Sequence, residues 1–246
     1  MFPKLGVNID HIATLRELRH TPYPNLIEAA QQVVSAGGSQ ITVHLREDQR
    51  HIKPQDVFLL KKTLPIALNL EMAATDFMLG FAKKLKPDWA CLVPEKRQEL
   101  TTEGGLNLKK NKKQLLKVIS GLKKSKIKVS LFVEPNLEMV RLSHALGANA
   151  IEIHTGRFAI ATQQKQPTIQ KELCKIEKAA TKALELGLKV HAGHGLDYEN
   201  IRLLVGFKSV FRSIEEYNIG HSIVCRAVMV GLESAVRAMV SLIQSP

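Results

Sequence analysis

Several short segments bring side chains with acid–base or anion-binding chemistry close together. Thr42-Val43-His44-Leu45-Arg46 places an imidazole and a guanidinium two residues apart, so on a strand both reach one ligand. Imidazole titrates near neutral pH, and guanidinium suits bidentate phosphate binding. Glu47 and Asp48 follow at once, so an ordinary arginine–carboxylate pair is the competing reading for Arg46. Asn69-Leu70-Glu71 offers a carboxylate that burial could turn into a general base. Asn8-Ile9-Asp10-His11 reads equally well two ways. Asp10 orients His11 or accepts from a substrate hydroxyl, or the segment is an Asx turn with a surface histidine. His191-Ala192-Gly193-His194-Gly195 holds two histidines three apart. On a strand these face opposite sides, so His194 is the functional candidate and His191 a satisfied structural one. Asn218-Ile219-Gly220-His221 precedes a long helical pattern. With Gly195 it reads as a phosphate site built from backbone N–H groups, or else as a plain glycine turn.

These residues need elements to hold them. Apolar runs at 5–9, 41–45, 66–70, 89–93, 129–133, 150–153, 189–192 and 216–219 predict eight strands. Helical periodicity fills the intervals at 26–36, 57–64, 76–85, 113–124, 137–146, 169–186 and 198–205, and one long helix is expected over 221–243. Gly37, Gly147 and Gly187 stand at helix ends. Eight strand–helix repeats in 246 residues predict a single (β/α)8 barrel over 1–246, with additional short helices. Alternation then assigns faces. Asn8 and Asp10 share a side. Thr42, His44 and Arg46 point to the barrel axis, as do Asn69 and Glu71, then Ser130, Phe132 and Glu134, then Glu152 and His154, and finally Ala192 and His194. Ionisable groups thus gather at the C-terminal strand ends, where barrels do chemistry. Burial without purpose would cost several kcal/mol each, on the order expected for unpaired charges. The polar connection from Cys91 to Leu106, containing Gly104-Gly105, reads as a lid or as a merely mobile loop.

Composition narrows the class. The chain carries 35 basic and 23 acidic residues, a net +12. The lysines between Lys109 and Lys128 alternate with Leu115, Leu116, Val118, Ile119 and Leu122, as on the wet face of an amphipathic helix. The run has no aromatic residue on which a base could stack, so no nucleic-acid partner is expected. No apolar stretch reaches membrane-spanning length. Three scattered cysteines without CxxC, and an N-terminus without a signal-peptide pattern, predict a cytoplasmic protein with free thiols. Two further readings stand beside the barrel enzyme for phosphorylated substrates. One is a metal-dependent hydrolase using Asp10, His11, His44 and His194. The other is a nucleic-acid binder built on the lysine run.

The segments taken together resemble the pyridoxine 5′-phosphate synthase family. The resemblance rests on LGVNIDHIATLRELR (5–19), GGSQITVHLREDQRHI (37–52), NLEMA (69–73), CLVPEKRQELTTEGGL (91–106), VSLFVEPN (129–136), IEIHTGRFA (151–159), HAGHGLDYEN (191–200) and NIGHSIVCRAVMVGL (218–232). It spans nearly the whole chain in order. It implies condensation of 3-amino-2-oxopropyl phosphate with 1-deoxy-D-xylulose 5-phosphate, with no metal or organic cofactor, in a homo-octamer. It further implies that Asn8, Arg19, Gly195, Gly220 and His221 hold the aminoketone phosphate. Asp10, His11, Arg46, His51 and Thr101 hold the sugar phosphate. His44 and Glu71 are acid–base groups, His194 is a proton donor, and Glu152 gives electrostatic support. His20, Pro22, Phe158 and His191 depart from the family pattern, Phe158 standing for an expected Tyr and His191 for an expected Asn.

Overall fold

A computed structural model describes residues 2–95, 104–110 and 112–245. Eight parallel strands close into a barrel in sequence order. They are β1 (Lys4–Asn8), β2 (Gln40–His44), β3 (Ala67–Met72), β4 (Trp89–Leu92), β5 (Lys128–Val133), β6 (Ala150–His154), β7 (Lys189–Gly193) and β8 (Glu216–Ile219). The helices are α1 (Asp10–Arg19), α2 (Leu26–Ser35), α3 (Pro54–Thr63), α4 (Asp76–Leu85), α5 (Lys112–Lys124), α6 (Leu137–Ala145), α7 (Gly156–Gln163), α8 (Ile169–Glu185), α9 (Asn200–Gly206), α10 (Lys208–Ser213), α11 (His221–Val230) and α12 (Leu232–Gln244). Among the described residues no helix is long and apolar enough to cross a membrane.

The outer strand face carries the aliphatic core. Val7, Ile41, Val43, Leu68, Leu70, Leu131, Ile151 and Val190 are fully buried against the helices. The inner face is polar. Gln40, Thr42, Asn69, Ser130, Glu152, His191, Glu216 and Asn218 are all buried there, and they bond across the axis. Thr42 Oγ1 donates to Asn218 Oδ1 at 3.1 Å, Asn218 Nδ2 donates to Glu152 Oε2 at 2.9 Å, and Gln40 Nε2 donates to Glu216 Oε1 at 2.7 Å. Gly6 and Gly193 leave room for this network: a β-carbon on Gly6 would lie 2.1 Å from Asn218 Oδ1, and one on Gly193 would lie 2.7 Å from Glu152 Oε1.

The lysine-rich segment forms α5, with Leu115, Val118, Ile119 and Leu122 buried and the lysines outward. Gly147 and Gly187 follow α6 and α8 with φ of +81° and +75°, closing those helices in the left-handed conformation. Two expectations need correction. The single helix over 221–243 is two helices, because Gly231 at φ +83° breaks it between α11 and α12. In β7 the inward residues are His191 and Gly193, not Ala192. His191 packs edge-on against Trp89 with ring centroids 4.9 Å apart, while Ala192 sits in the aliphatic core. The helices α1, α7 and α10 fall outside the helical runs read from the sequence.

Candidate active site

A cavity of about 1050 Å³ opens at the C-terminal end of the barrel. Asn8, Asp10, His11, His44, Arg46, Glu71, Glu152, His194, Gly195, Gly220 and His221 all line it. His51 stands behind, its ring centroid 6.4 Å from that of His44. Arg19 is exposed in the last turn of α1 and is not among the cavity-lining residues. Thr101 and the rest of residues 96–103 of the 91–106 connection lie outside the described residues.

The end of β1 sets the first group. Asn8 Nδ2 donates to Asp10 Oδ2 at 2.9 Å, and the His44 backbone N–H donates to Asp10 Oδ1 at 2.9 Å. Asp10 thus starts α1 while bracing the end of β2. Burial raises its pKa from 3.8 to about 6, against the opposing pull of those hydrogen bonds and of His44. Beside it, His44 Nδ1 lies 4.0 Å from Glu71 Oε2, and its Nε2 lies 3.0 Å from Glu95 Oε1. Burial, then the charges of Glu152 and Asp10, push the Glu71 carboxyl well above its usual range. Burial likewise raises Glu152 to about 7, although the Asn218 amide favours its anion. Arg46 pairs with Asp48 at 3.3 Å, so the arginine–carboxylate reading and the cavity-lining one hold together.

His194 enters from β7 by a break in alternation. The chain leaves the strand at Gly193, and His194 and Gly195 take φ of +77° and +78°. Thr155 holds this turn, its single hydroxyl hydrogen shared between the carbonyls of Gly193, 2.8 Å from Oγ1, and His194, 2.7 Å from it. His194 therefore reaches the mouth although His191 faces the barrel interior too. His191 lies at the base instead. Its Nδ1 has no hydrogen-bond partner among the described residues, which corrects the expectation of a satisfied histidine, and burial lowers its pKa to about 4. On the opposite rim, α11 begins at His221. A β-carbon on Gly220 would lie 2.8 Å from Asn8 Cβ and from Asn8 O, so only glycine fits there. The His11 and His221 rings meet at 4.7 Å, and burial followed by His221 lowers the His11 pKa.

Some participants escaped the sequence reading. Glu95 was seen only as the start of a polar loop, yet it holds both His44 and the Glu47 backbone N–H, the latter at 3.0 Å. Asn218 stands in the sequence reading only as part of the 218–221 segment, a phosphate site or a glycine turn, and not as an inward strand residue. Inward position on β8 was the signal that could have found it. Asp10, His44 and Glu71 bring their ligand atoms within 4.8 Å of one another, close enough for a metal ion to bridge them.

Carboxyls with raised pKa values face imidazoles in the polar mouth of a closed parallel barrel, an arrangement of the (β/α)8 enzyme class that suits acid–base chemistry. A family model described as pyridoxal phosphate biosynthesis protein PdxJ matches residues 5–245, and the chain belongs to that family. It is similar to proteins named pyridoxine 5′-phosphate synthase. The one from Trichlorobacter lovleyi is 51% identical over 243 residues, 99% of each chain. The one from Syntrophotalea carbinolica is 52% identical over 239 residues, 97% of this chain and 98% of the other. Among solved structures, 3-keto-L-gulonate-6-phosphate decarboxylase from Vibrio cholerae superposes over 100% of both chains with a TM-score of 0.68 at 15% identity, a likeness of fold alone.

Proposed function

We propose that this chain is a pyridoxine 5′-phosphate synthase. It condenses 3-amino-2-oxopropyl phosphate with 1-deoxy-D-xylulose 5-phosphate to give pyridoxine 5′-phosphate, inorganic phosphate and water. The observation that carries the reading is the convergence of Asp10, His44, Glu71, Glu152 and His194 on one cavity whose rim is formed by Gly195 and Gly220. Imine formation, loss of water and ring closure each move a proton at carbon, nitrogen or oxygen. Groups titrating near neutrality are needed at every step. Glu71, whose pKa is raised by burial and then by the charges of Glu152 and Asp10, and His44 exchange protons with the condensing amine and ketone. His194 donates to leaving oxygen, and Glu152 supports the positive charge that develops. Asn8, Gly195, Gly220 and His221 hold one phosphate, and Asp10, His11, Arg46, His51 and Thr101 the sugar phosphate. Arg19 belongs to the same family set but draws no support from the cavity lining. The enzyme works without a cofactor, in the cytoplasm, as a homo-octamer. Exposed apolar side chains on two helices that touch, Leu15 and Leu18 on α1 and Val228 and Met229 on α11, are consistent with burial between subunits.

Purified protein given both substrates should release phosphate and form the pyridine chromophore. Folded protein that yields no product under several conditions overturns the proposal. One observation favours a second reading, a metal-dependent hydrolase: the close approach of Asp10, His44 and Glu71. Metal analysis and chelation separate the two. The synthase keeps full turnover after chelation, and a hydrolase loses it.

A further inference from the structure

Two buried residues at the cavity edge have no part in the roles above. Glu134 follows β5 and His154 ends β6, and both are buried. His154 Nδ1 lies 2.7 Å from Glu134 Oε1. The same oxygen accepts the Gly105 N–H at 2.8 Å. With Oε1 already an acceptor for Gly105, the Nδ1–H tautomer of His154 fits the pair, and the ring also lines the cavity.

The imidazole is pressed against His194. The two ring centroids are 4.9 Å apart in an edge-on arrangement. The Phe132 ring closes the group, 5.1 Å from His154 and 6.2 Å from His194. Gly156 makes the approach possible: a β-carbon there would lie 2.5 Å from His154 Nε2 and 3.3 Å from His194 Cδ2. Gly104 packs on the other side, where a β-carbon would lie 2.8 Å from His154 Cε1. A carboxylate, an imidazole and two glycines are thus spent on fixing one ring beside another.

We propose that Glu134 and His154 form a positioning unit for His194, fixing its ring plane and its readiness to release a proton during turnover. The proposal rests on the reading of His194 as a proton donor. Its physical basis is that Glu134 locks the tautomer and orientation of His154, and His154 then presents a fixed edge to His194. Desolvation, followed by the charge of His154, lowers the His194 pKa, and Glu134 opposes them. A donor with weakened proton affinity is a stronger acid. His154 and Glu134 act on His194 directly, and Glu152 from β6, Arg157 from α7 and Asp197 after β7 line the same cavity.

The test replaces His154 by Asn and follows His194 by NMR titration of ¹³C-labelled histidine, assigned with His194→Gln. His154 lowers the His194 pKa and Glu134 raises it, so removing the imidazole while keeping the carboxylate should raise the His194 midpoint by about half a pH unit or more. Turnover should fall on the order of 10-fold with KM values little changed, and the alkaline limb of the rate profile should move upward with the midpoint. Glu134→Gln, which keeps an acceptor for Gly105, is a second arm if the first variant folds poorly. There too the midpoint must depart from wild type. A midpoint that stays put in a folded variant overturns the proposal, and so does one that moves while the rate profile does not. The synthase reading fails differently, by wild-type protein making no product, and the titration stands apart from that result.

Discussion

Replacing Glu152 by Gln should make the fold more stable, and only at the higher end of the pH range. Glu152 is 3% exposed, and burial raises its pKa from 4.5 to about 7. In the unfolded chain the carboxyl loses its proton near 4.5. In the folded chain it keeps the proton until about 7. The unfolded state therefore binds fewer protons across that window, and stability falls as pH rises through it. The full cost, above the folded pKa, is about 3 kcal/mol. Gln cannot ionise and removes this slope. Its carbonyl still accepts from Asn218, and its amide occupies the volume of the second carboxylate oxygen. Loss of the anion also eases Glu71 and Glu216, whose pKa values Glu152 helps to raise. Urea unfolding at fixed protein concentration, at about pH 5 and about pH 8, gives the comparison. The advantage of the variant should grow by about 2–3 kcal/mol between the two. An equal advantage at both pH values, or a loss at the higher, refutes the claim that the buried carboxyl carries an ionisation cost.

Two more substitutions probe the rim. Gly220→Ala places a methyl 2.8 Å from Asn8 Cβ and backbone oxygen. It should raise KM for the aminoketone phosphate and cost about 1–3 kcal/mol in thermal or denaturant stability. Gly156→Ala drives a methyl to 2.5 Å from His154 Nε2. Steady-state kinetics should show turnover falling roughly 10-fold or more while circular dichroism remains that of the wild type.

Much of the barrel was legible because its two faces differ so sharply. Asp76–Leu85 and Glu216–Ile219 have the expected bounds, and every strand lies within a residue or two of its apolar run. The reason is that Val, Ile and Leu on the outer face alternate with Thr, Asn, Ser and Glu on the inner one. Where alternation breaks, the reading failed. Gly193 to Gly195 leaves β7 through two left-handed residues, so His194 reaches the mouth by a turn that strand parity does not describe. The helix break at Gly231 was hidden because the apolar pattern runs on through it. At the site, His44, Glu71, Asp10 and Glu152 were found by type and strand position. Glu95 was not, because a residue in a loop shows no face until the loop is folded. Residues reaching one another across the axis, such as Thr42 and Asn218, are separated by most of the chain, and no local spacing pairs them.

The raised pKa values of Asp10, Glu71 and Glu152 have a consequence for how substrate enters. Burial makes each of these carboxyls keep its proton to a higher pH than water would allow, and the charges of Glu152 and Asp10 raise Glu71 further. A phosphate ester arriving at the rim brings further negative charge to the same small volume. Charge of that sign favours retention of every proton on the floor and recruitment of more from solvent. Filling the cavity is thus coupled to its acidity. Substrate binding therefore shifts these carboxyls toward their protonated forms.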